Sequence, residues 1–296
     1  MKNFEEIYKK IYSENFDELE KVRKQKLLKK FIIAIIIIII ATVIAIFSSS
    51  PFIAICLATI AIIIVSVIPD KFNSLYKSRI ITELIKGYDP NLSFDSQLSI
   101  PRSLYNQAEF ESYDRYYSND YIYGKIDGII PFELGDIHTE DESTDSDGHT
   151  TSYTVFRGLF SAAEFNQSIN TTIKIRSDKG FLGKLVSNKE IMQMDSQEFE
   201  KLFDVYSKDK ITVMRILTSD ILDYMVTFKK ENKVKFELTL KNKQLFIRIH
   251  CKNMFESNSI LKKSIDEKSL QTYYKYLDFM CELNRKFCNV IAEKNI

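Results

Sequence analysis

The sequence has no tryptophan, four cysteines and almost no net charge, and each shortage is informative. The formal charge is +1, from 41 basic and 40 acidic residues in 296, so a dedicated nucleic-acid-binding surface is not expected. No two cysteines form a Cys-x-x-Cys pair: they are Cys56, Cys251, Cys281 and Cys288. This spacing argues against a disulfide scaffold or a zinc site and suits a reducing cytoplasm. The lack of tryptophan, with abundant isoleucine, lysine and asparagine, is typical of an AT-rich bacterium.

Charge is also missing from two long apolar runs, Phe31–Phe47 and Phe52–Ile68, which Ser48–Pro51 separates. Each run is close to the length of a membrane-spanning helix, and one helix across both would measure about 57 Å, too long for a bilayer core. A buried strand is excluded by length, and a cleaved signal peptide by the second run that follows at once. The sequence therefore predicts a two-span transmembrane helical hairpin over 31–68.

Basic residues flank this hairpin on both sides, whereas its central turn carries no charge. They are Lys21, Arg23, Lys24, Lys26, Lys29 and Lys30 before it, and Lys71, Lys77, Arg79 and Lys86 after it. Because basic flanks stay on the cytoplasmic side, we predict a multi-pass protein of the bacterial plasma (inner) membrane with both termini cytoplasmic. Each flanking Lys or Arg near the surface should gain about 1 kcal/mol from anionic headgroups.

The rest of the chain divides into three predicted parts. Residues 1–30 form an amphipathic cytoplasmic helix, which is either a partner-binding arm or a helix that packs on its own domain. Residues 69–118 form a juxtamembrane helical connector, with helices at Lys71–Tyr88 and Pro101–Tyr113. Residues 119–296 form a cytoplasmic α+β domain whose sheet is mainly antiparallel, with flanking helices.

Alternating patterns predict the strands of this domain: Tyr121–Ile130, Phe132–Ile137, Thr151–Phe165, Thr171–Arg176 and Phe203–Tyr206. Val234–Leu240 and Gln244–Cys251 read as a hairpin around Lys241–Lys243, and Ile211–Leu217 as extended or helical. Helices are predicted from a capping box at Asp195–Glu198, over Ser219–Lys230, and from Ser264 onwards. The last has apolar residues at heptad spacing, which suits a coiled-coil seam or, more commonly, a helix that covers a sheet.

Two stretches resemble a known family: Tyr121–His138 (YIYGKIDGIIPFELGDIH) with Val155–Asn166 (VFRGLFSAAEFN), and Asp195–Leu222 (DSQEFEKLFDVYSKDKITVMRILTSDIL). Together they are similar to a bacterial family of membrane proteins known as domain of unknown function 3137. The resemblance implies the same layout over nearly the whole chain, with an amino-terminal helix, a two-span hairpin and a large cytoplasmic domain. It implies no activity and no catalytic or binding residues.

The acidic segment His138–Thr150 (HTEDESTDSDGHT) is the first candidate for chemistry. Ser143-x-Asp145-x-Asp147-Gly148 resembles the start of a calcium loop, but the twelfth position, which needs a bidentate glutamate, is Thr154. His138 and His149 flank the segment without a third ligand at a defined spacing. A solvated hairpin loop is therefore the preferred interpretation, and no metal site is assigned.

The other candidates are weaker. Gly180–Lys184 differs from a phosphate-binding loop in its spacing and in the following Leu185. His250 and Cys251 are neighbours on a predicted strand and point to opposite faces, and Cys281 and Cys288 fit buried positions of a helix. The aromatic cluster of Tyr113, Tyr116, Tyr117, Tyr121 and Tyr123 suits core packing or a strand edge better than a stacking platform. Since no GxSxG, HExxH, GxGxxG or kinase motif occurs, we assign no catalytic or cofactor-binding residues and no cofactor.

Two functional hypotheses remain. In the first, the hairpin tethers a domain that binds an unidentified protein partner or a ligand at the inner membrane surface. In the second, the chain is a membrane-tethered enzyme whose site is assembled from sequence-distant residues. A channel or pump is disfavoured because neither run carries an intramembrane charge.

Overall fold

The computed structural model describes residues 3–48, 52, 55–56, 59, 71–177, 191–257 and 262–294. The chain forms two compact units. The first unit comprises Met1–Leu84 and Glu256–Leu270, and the second comprises Ile85–Phe255 and Gln271–Ile296.

The first unit is dominated by one continuous helix, α1 (Phe4–Ser48). The predicted helix at 3–30 and the predicted first span therefore form a single element, with no break where the lysines end. In the amino-terminal half, Ile7, Ile11 and Leu19 recur at helical spacing and are buried. This burial favours a helix that packs on its own unit over a free partner-binding arm.

The apolar half of α1 has the opposite character, because most of its isoleucines are exposed and the others are only half-buried. Only 6% of its most apolar window is buried inside the protein. Of the predicted second span, the structure describes Phe52, Ile55, Cys56 and Thr59, which are helical; the rest of 52–68 and the turn before it lie outside the described residues. The finding is thus one long apolar amino-terminal helix.

The predicted helix over Lys71–Tyr88 is present, with a change of winding in its middle. Two α-helices, α2 (Lys71–Tyr76) and α3 (Thr82–Tyr88), are joined by a π-helical turn at Lys77–Ile81. Lys77 in this turn is buried, and its Nζ donates to Glu256 Oε1 at 2.6 Å. Asn73 Nδ2 donates to the other oxygen of the same carboxylate. One of the predicted headgroup-binding lysines is therefore committed to an internal ion pair.

The second unit is built on a six-stranded antiparallel sheet, which confirms the α+β prediction. Its strands are β1 (Leu92–Asp95), β2 (Arg115–Ile126), β3 (Ile130–Thr144), β4 (Thr150–Ser177), β5 (Phe203–Tyr206) and β6 (Phe236–His250). The order is β1-β2-β3-β4-β5, and β6 also pairs with β4. Strand β1 lies within residues 69–118, which were predicted to be a helical connector. It is extended because it pairs with Tyr121–Gly124 of β2, and its Leu92 is buried. Helix α4 (Arg102–Gln107), predicted as far as Tyr113, is shorter than expected.

The predicted hairpin at Lys241–Lys243 is confirmed. The backbone N–H of His250 donates to the carbonyl oxygen of Lys235 at 2.8 Å, and Arg248 Nε reaches Glu237 Oε2 at 2.7 Å across eleven positions of the chain. Because a strand rises about 3.3 Å per residue, these contacts require the two halves of β6 to lie side by side. Asn242, with a φ of +55°, lies at the turn. Both halves also pair with β4, with Leu238 opposite Ile175 and His250 opposite Gly158.

The predicted exposed loop at His138–Thr150 is wrong over most of its length. Strand β3 continues to Thr144 and β4 begins at Thr150, so that only Asp145–His149 form the turn. Cross-strand pairs such as Glu140 with Thr154 satisfy the backbone of these polar residues. Polarity here reflects a two-stranded ribbon rather than a loop.

The remaining helices are α5 (Gln197–Glu200), α6 (Lys210–Ile216), α7 (Ser219–Asn232) and α8 (Glu267–Lys294). Ser196, not Asp195, caps α5, since its side chain accepts from the backbone N–H of Phe199. Asp266, not Ser264, accepts from the backbone N–H of Ser269 in the first turn of α8. The segment Ile211–Leu217, left open between strand and helix, is largely helical as α6.

Aromatic side chains join α7 and α8 to one face of the sheet. Phe279 of α8 stacks on Phe228 of α7, with ring centroids 3.6 Å apart, and meets Phe236 of β6 edge-on at 4.9 Å. All three side chains are buried. The heptad pattern of the last helix therefore reflects a helix packed over a sheet.

Candidate functional site

The opposite face of the sheet is crossed by residues 98–114, a segment we call the strap, which contains α4. Tyr105 and Ala108 of the strap are buried in one cluster with Phe156, Phe160 and Phe246. The rings of Tyr105 and Phe160 meet edge-on with centroids 5.0 Å apart, a favoured aromatic geometry. Apolar packing thus holds the strap on the sheet.

A buried ion pair lies beneath the strap. Arg248 Nε of β6 donates to Glu237 Oε2 at 2.7 Å, and the two side chains are only 5% and 3% exposed. Arg248 also donates to the carboxylate of Glu111 and, at 3.3 Å, to the hydroxyl of Tyr105, both from the strap. Burial alone would raise the pKa of Glu237, but the charges of Arg248 and Lys235 outweigh it and hold this pKa below its usual range.

A second glutamate of the strap, Glu109, contacts two further cations. Its carboxylate accepts from Lys174 Nζ at 2.9 Å and also from Lys241. Hydrogen bonds from Lys241 and Lys174 lower the pKa of Glu109 to about 2. Its backbone φ is +51°, a conformation that costs a non-glycine residue about 1–2 kcal/mol. The strap is therefore held by ionic contacts as well as by packing.

These groups satisfy one another and leave little for catalysis. Arg248 contacts two carboxylates and a hydroxyl, and Arg176 Nη1 donates to the carbonyl oxygen of Leu238 at 2.6 Å. The Arg176 guanidinium also lies over the Phe110 ring at 4.7 Å, and burial lowers its pKa to about 10. We interpret this cluster as the structural attachment of the strap.

Next to the strap the same face contains a pocket of about 300 Å³, which we call the tyrosine pocket. It is lined by Leu104, Tyr121, Tyr123, Gly124, Pro131, Phe132, Glu133, Ala162, Ala163, Glu164 and Gln244. The hydroxyl of Tyr121 donates to Glu133 Oε2 at 2.5 Å, and the Tyr121 and Tyr123 rings are stacked with centroids 5.2 Å apart. Burial, followed by this carboxylate, raises the pKa of Tyr121. The pocket combines aromatic rings with negative charge.

The calcium-loop candidate does not form a cation site in the structure. Asp145 Oδ1 accepts from the backbone N–H groups of Asp147 and His149, so this carboxylate closes the turn itself. Thr154 lies in β4 opposite Glu140, where it supplies no carboxylate. In the described ranges, no group of three or more His, Cys, Asp or Glu side chains is arranged to hold a metal ion.

The two histidines of this segment lie in different environments. His138 Nε2 is 2.9 Å from Thr154 Oγ1 and 3.5 Å from Glu140, within the ladder of the ribbon. His149 is in the exposed turn, with its Nδ1 3.6 Å from Asp145. The structure therefore separates them rather than bringing them to one centre.

The cysteines and the neighbouring histidine are unsuited to nucleophilic catalysis. Burial, with the charges of Lys235 and Arg248, lowers the pKa of His250 to about 4, and burial raises the pKa of Cys251 to about 12. Burial also raises the pKa of the thiols of Cys281 and Cys288. None of these thiols has the lowered pKa of a reactive thiolate. Gly180–Lys184 lies outside the described residues.

The tyrosine cluster is divided between core and surface. Tyr113, Tyr116 and Tyr121 pack against the core under the strap, as expected, whereas Tyr117 and Tyr123 are exposed. The sequence did not reveal the Arg248–Glu237 pair or the tyrosine pocket. The pocket uses residues from 104 to 244, whose proximity depends on strand register.

The fold and this face define an α+β domain with a strapped antiparallel sheet, attached to a chain that begins with a long apolar helix. Residues 154–287 match the family described as "Protein of unknown function (DUF3137)". The predicted resemblance to this family is confirmed over that segment, and the stretch Tyr121–His138 lies outside the match.

Two further comparisons add no functional argument. No curated protein matches the chain. The crystal structure of the mycobacterial trehalose monomycolate transport factor A, TtfA, is similar at 9% identity and a TM-score of 0.36, covering 72% of this chain and 95% of that one. A likeness this distant carries no conclusion about activity.

Proposed function

We propose that this protein is a membrane-anchored binding module. In this proposal a helical hairpin, 31–47 and 52–68, tethers the cytoplasmic α+β domain, 119–296, to the bacterial inner membrane through the connector 69–118. The domain then binds a protein or a ligand at the membrane surface, with both termini cytoplasmic. The observation that carries the proposal is the exposure of the apolar half of α1.

The apolar half of α1 would be costly to leave in water. Nine large apolar side chains of this half are 40–72% exposed: Phe31, Ile32, Ile35, Ile36, Ile38, Ile39, Ile40, Val43 and Ile46. Leaving them in water would forgo on the order of 10 kcal/mol of burial free energy, comparable with the whole stability of a typical domain. A lipid environment removes this penalty, and helical hydrogen bonding satisfies the backbone there.

The basic flank supports the proposed orientation. Lys21, Lys24 and Lys29 are exposed on α1 just before the apolar half, where anionic headgroups would meet them. Lys77 does not contribute, because Glu256 neutralises it internally. The remaining basic residues on both sides of the hairpin still favour the cytoplasm.

Binding is preferred over catalysis because of the character of the domain. The buried ionic groups under the strap neutralise one another, and burial raises the pKa of Cys251, Cys281 and Cys288. The tyrosine pocket has carboxylates, an amide and aromatic rings but no histidine, cysteine or aspartate among its lining residues. Such a lining suits recognition of a ligand better than nucleophilic chemistry.

Membrane attachment is tested by paired lysine substitutions. Ile36→Lys with Ile39→Lys should release the protein from alkaline-extracted membranes, because each lysine in a span costs about 2.5–3.5 kcal/mol. The matched control is Ile129→Lys with Ile211→Lys, which charges two isoleucines of the domain that are more exposed than Ile36 and Ile39 and should leave membrane retention unchanged. Reporters fused at Met1 and Ile296 should both be cytoplasmic. Extraction of the unaltered protein by carbonate, or an exported reporter, would contradict the proposal.

A further inference from the structure

The tyrosine pocket carries two carboxylates and no cation among its lining residues. Glu133 and Glu164 come from neighbouring strands β3 and β4, and Gln244 from β6 lies beside them. Of the oxygens of Glu133, Oε2 accepts from Tyr121. Over the part of the chain that the structure describes, the side chains of Glu164 and Gln244 have no hydrogen-bond partner. The pocket therefore offers negative charge and acceptor groups to a ligand.

Aromatic rings complete this arrangement. Tyr121 and Tyr123 stand on the same face of β2, with interplanar angle 22° and one ring edge beside Glu133. The face of an aromatic ring attracts cations through its quadrupole, and desolvation strengthens that attraction. Rings and carboxylates together are the usual surroundings of an ammonium or guanidinium group.

Elsewhere on the same sheet face, aromatic rings and carboxylates contact cationic side chains of the chain itself. Arg248 lies 4.1 Å from the centroid of Phe110 and pairs with the carboxylates of Glu237 and Glu111. Arg102 lies 4.9 Å from the centroid of Tyr113. In the described ranges, neither Tyr121 nor Tyr123 has a cation over its ring. The tyrosine pocket thus has the same rings and carboxylates as these neighbouring contacts, without a cation among its lining residues.

We propose that the tyrosine pocket binds an organic cation, an alkylammonium or guanidinium group, carried by a small amine or by a lysine or arginine side chain of a partner. This inference rests on the proposed binding function and names its ligand chemistry. Glu133 and Glu164 supply charge, Tyr121 and Tyr123 supply ring faces, and Gln244 supplies a further acceptor. The volume of about 300 Å³ is at the lower limit for ligand pockets and suits one side chain or a small amine.

Other ligand classes fit less well. Two carboxylates repel an anion such as a phosphate group. A metal ion needs more ligands than these two glutamates and an amide supply, since calcium takes 6–8 oxygens. An apolar ligand would leave both carboxylates desolvated without a partner, which is unfavourable. A cation is the ligand that compensates the charge of the pocket.

The test uses the full chain in detergent micelles and isothermal titration calorimetry. The probes are tetramethylammonium chloride, spermidine, and short neutral peptides that carry one lysine or one arginine, with a glutamate peptide as the anionic comparison. We expect saturable binding of at least one cationic probe and none of the glutamate peptide. Binding of peptides alone identifies a side chain of a partner as the ligand, and binding of free amines identifies a small molecule; both support the proposal.

Variants distinguish the pocket from general charge attraction. Glu133→Gln and Tyr123→Ala should each weaken binding by about tenfold, since each removes a contact to the charged group. The matched controls are Asp141→Asn and Tyr153→Ala, because Tyr153 donates to Asp141 at 2.8 Å in an exposed pair outside any pocket. These controls should leave affinity unchanged, and circular dichroism checks that every variant folds.

The proposal is overturned if no cationic probe binds, if the glutamate peptide binds as well, or if Glu133→Gln binds with unchanged affinity. Because titration in micelles does not depend on orientation, such a failure is distinct from a failure of the membrane-attachment test. A protein that is retained in the membrane yet binds no cation would keep the anchoring proposal and remove this one.

Discussion

Replacing Arg248 with methionine should destabilise the second unit strongly, because it leaves the carboxylate of Glu237 buried without its main partner. That carboxylate is 3% exposed and retains only Lys235, at 3.5 Å, among its ion pairs. Removing one member of a buried pair costs about 3–5 kcal/mol, equivalent to a fall in Tm of about 6–20 °C for a unit of this size. Thermal unfolding of the full chain in micelles, followed by circular dichroism, measures the fall.

The design includes a double variant and a surface control. Arg248→Met with Glu237→Gln removes the unpaired charge and should recover most of the lost Tm, since apolar or neutral replacements of buried pairs are often tolerated. Arg115→Met breaks the more exposed pair with Glu142 and should change the Tm far less than Arg248→Met, because solvent screens an exposed ion pair.

The pH dependence gives an independent check. In the unaltered protein the pKa of Glu237 is lowered, so this group contributes stability above its unfolded pKa and loses it as pH falls through its folded pKa. Without Arg248, burial should instead raise the pKa of Glu237, and the variant should lose stability as pH rises. The Tm difference between the two proteins should therefore be larger at about pH 8 than at about pH 5. The reasoning about this pair would be refuted if the Tm of Arg248→Met lay within about 1 °C of that of the unaltered protein. A Tm difference that grows as the pH falls would refute it as well.

Three further substitutions follow from packing, backbone geometry and charge, each measured by thermal unfolding. Phe279→Ala should cost about 3–5 kcal/mol, because the ring is buried between two other phenylalanine rings; a loss below 1 kcal/mol, about the scale of surface changes, would be inconsistent with that packing. Gly158→Ala should cost about 2–4 kcal/mol, because φ is +150° and the added Cβ would lie 2.0 Å from Ile249 O, whereas Gly148→Ala, where nothing lies within 4 Å, should cost less; equal losses would contradict this. Glu109→Gln should lower the Tm at neutral pH, and because the pKa of Glu109 is lowered to about 2, the difference should shrink as pH falls from about 4.5 towards 2; a constant difference would count against the ionic attachment of the strap.

Local patterns predicted the helices well where one face had to be buried. The spacing of Ile7, Ile11 and Leu19 predicted the first helix, and the apolar positions of the last helix predicted a buried face. Periodicity of this kind depends only on neighbours within a few turns. Capping residues were placed less accurately, at Asp195 and Ser264 instead of Ser196 and Asp266, because several nearby side chains compete for the same backbone N–H groups.

Strand ends were harder to predict. The acidic ribbon at 138–150 is extended because each strand pairs with the other, although its residues are those of a loop. Here contacts between the strands outweighed local preference. The hairpin at Lys241–Lys243 was predicted correctly, because a short turn between two alternating runs is a local pattern.

By itself the sequence determined the long apolar helix, the α+β class and the family resemblance of residues 154–287, since each depends on composition, run length or short local patterns. Only the tertiary structure decided which side chains meet. Glu237 and Arg248 pair because the two halves of the β6 hairpin bring them together beneath the strap. Tyr121, Glu133 and Glu164 share a pocket because strand register aligns them. Register is set by long-range pairing and by the need to bury one face, and a linear pattern does not contain that information.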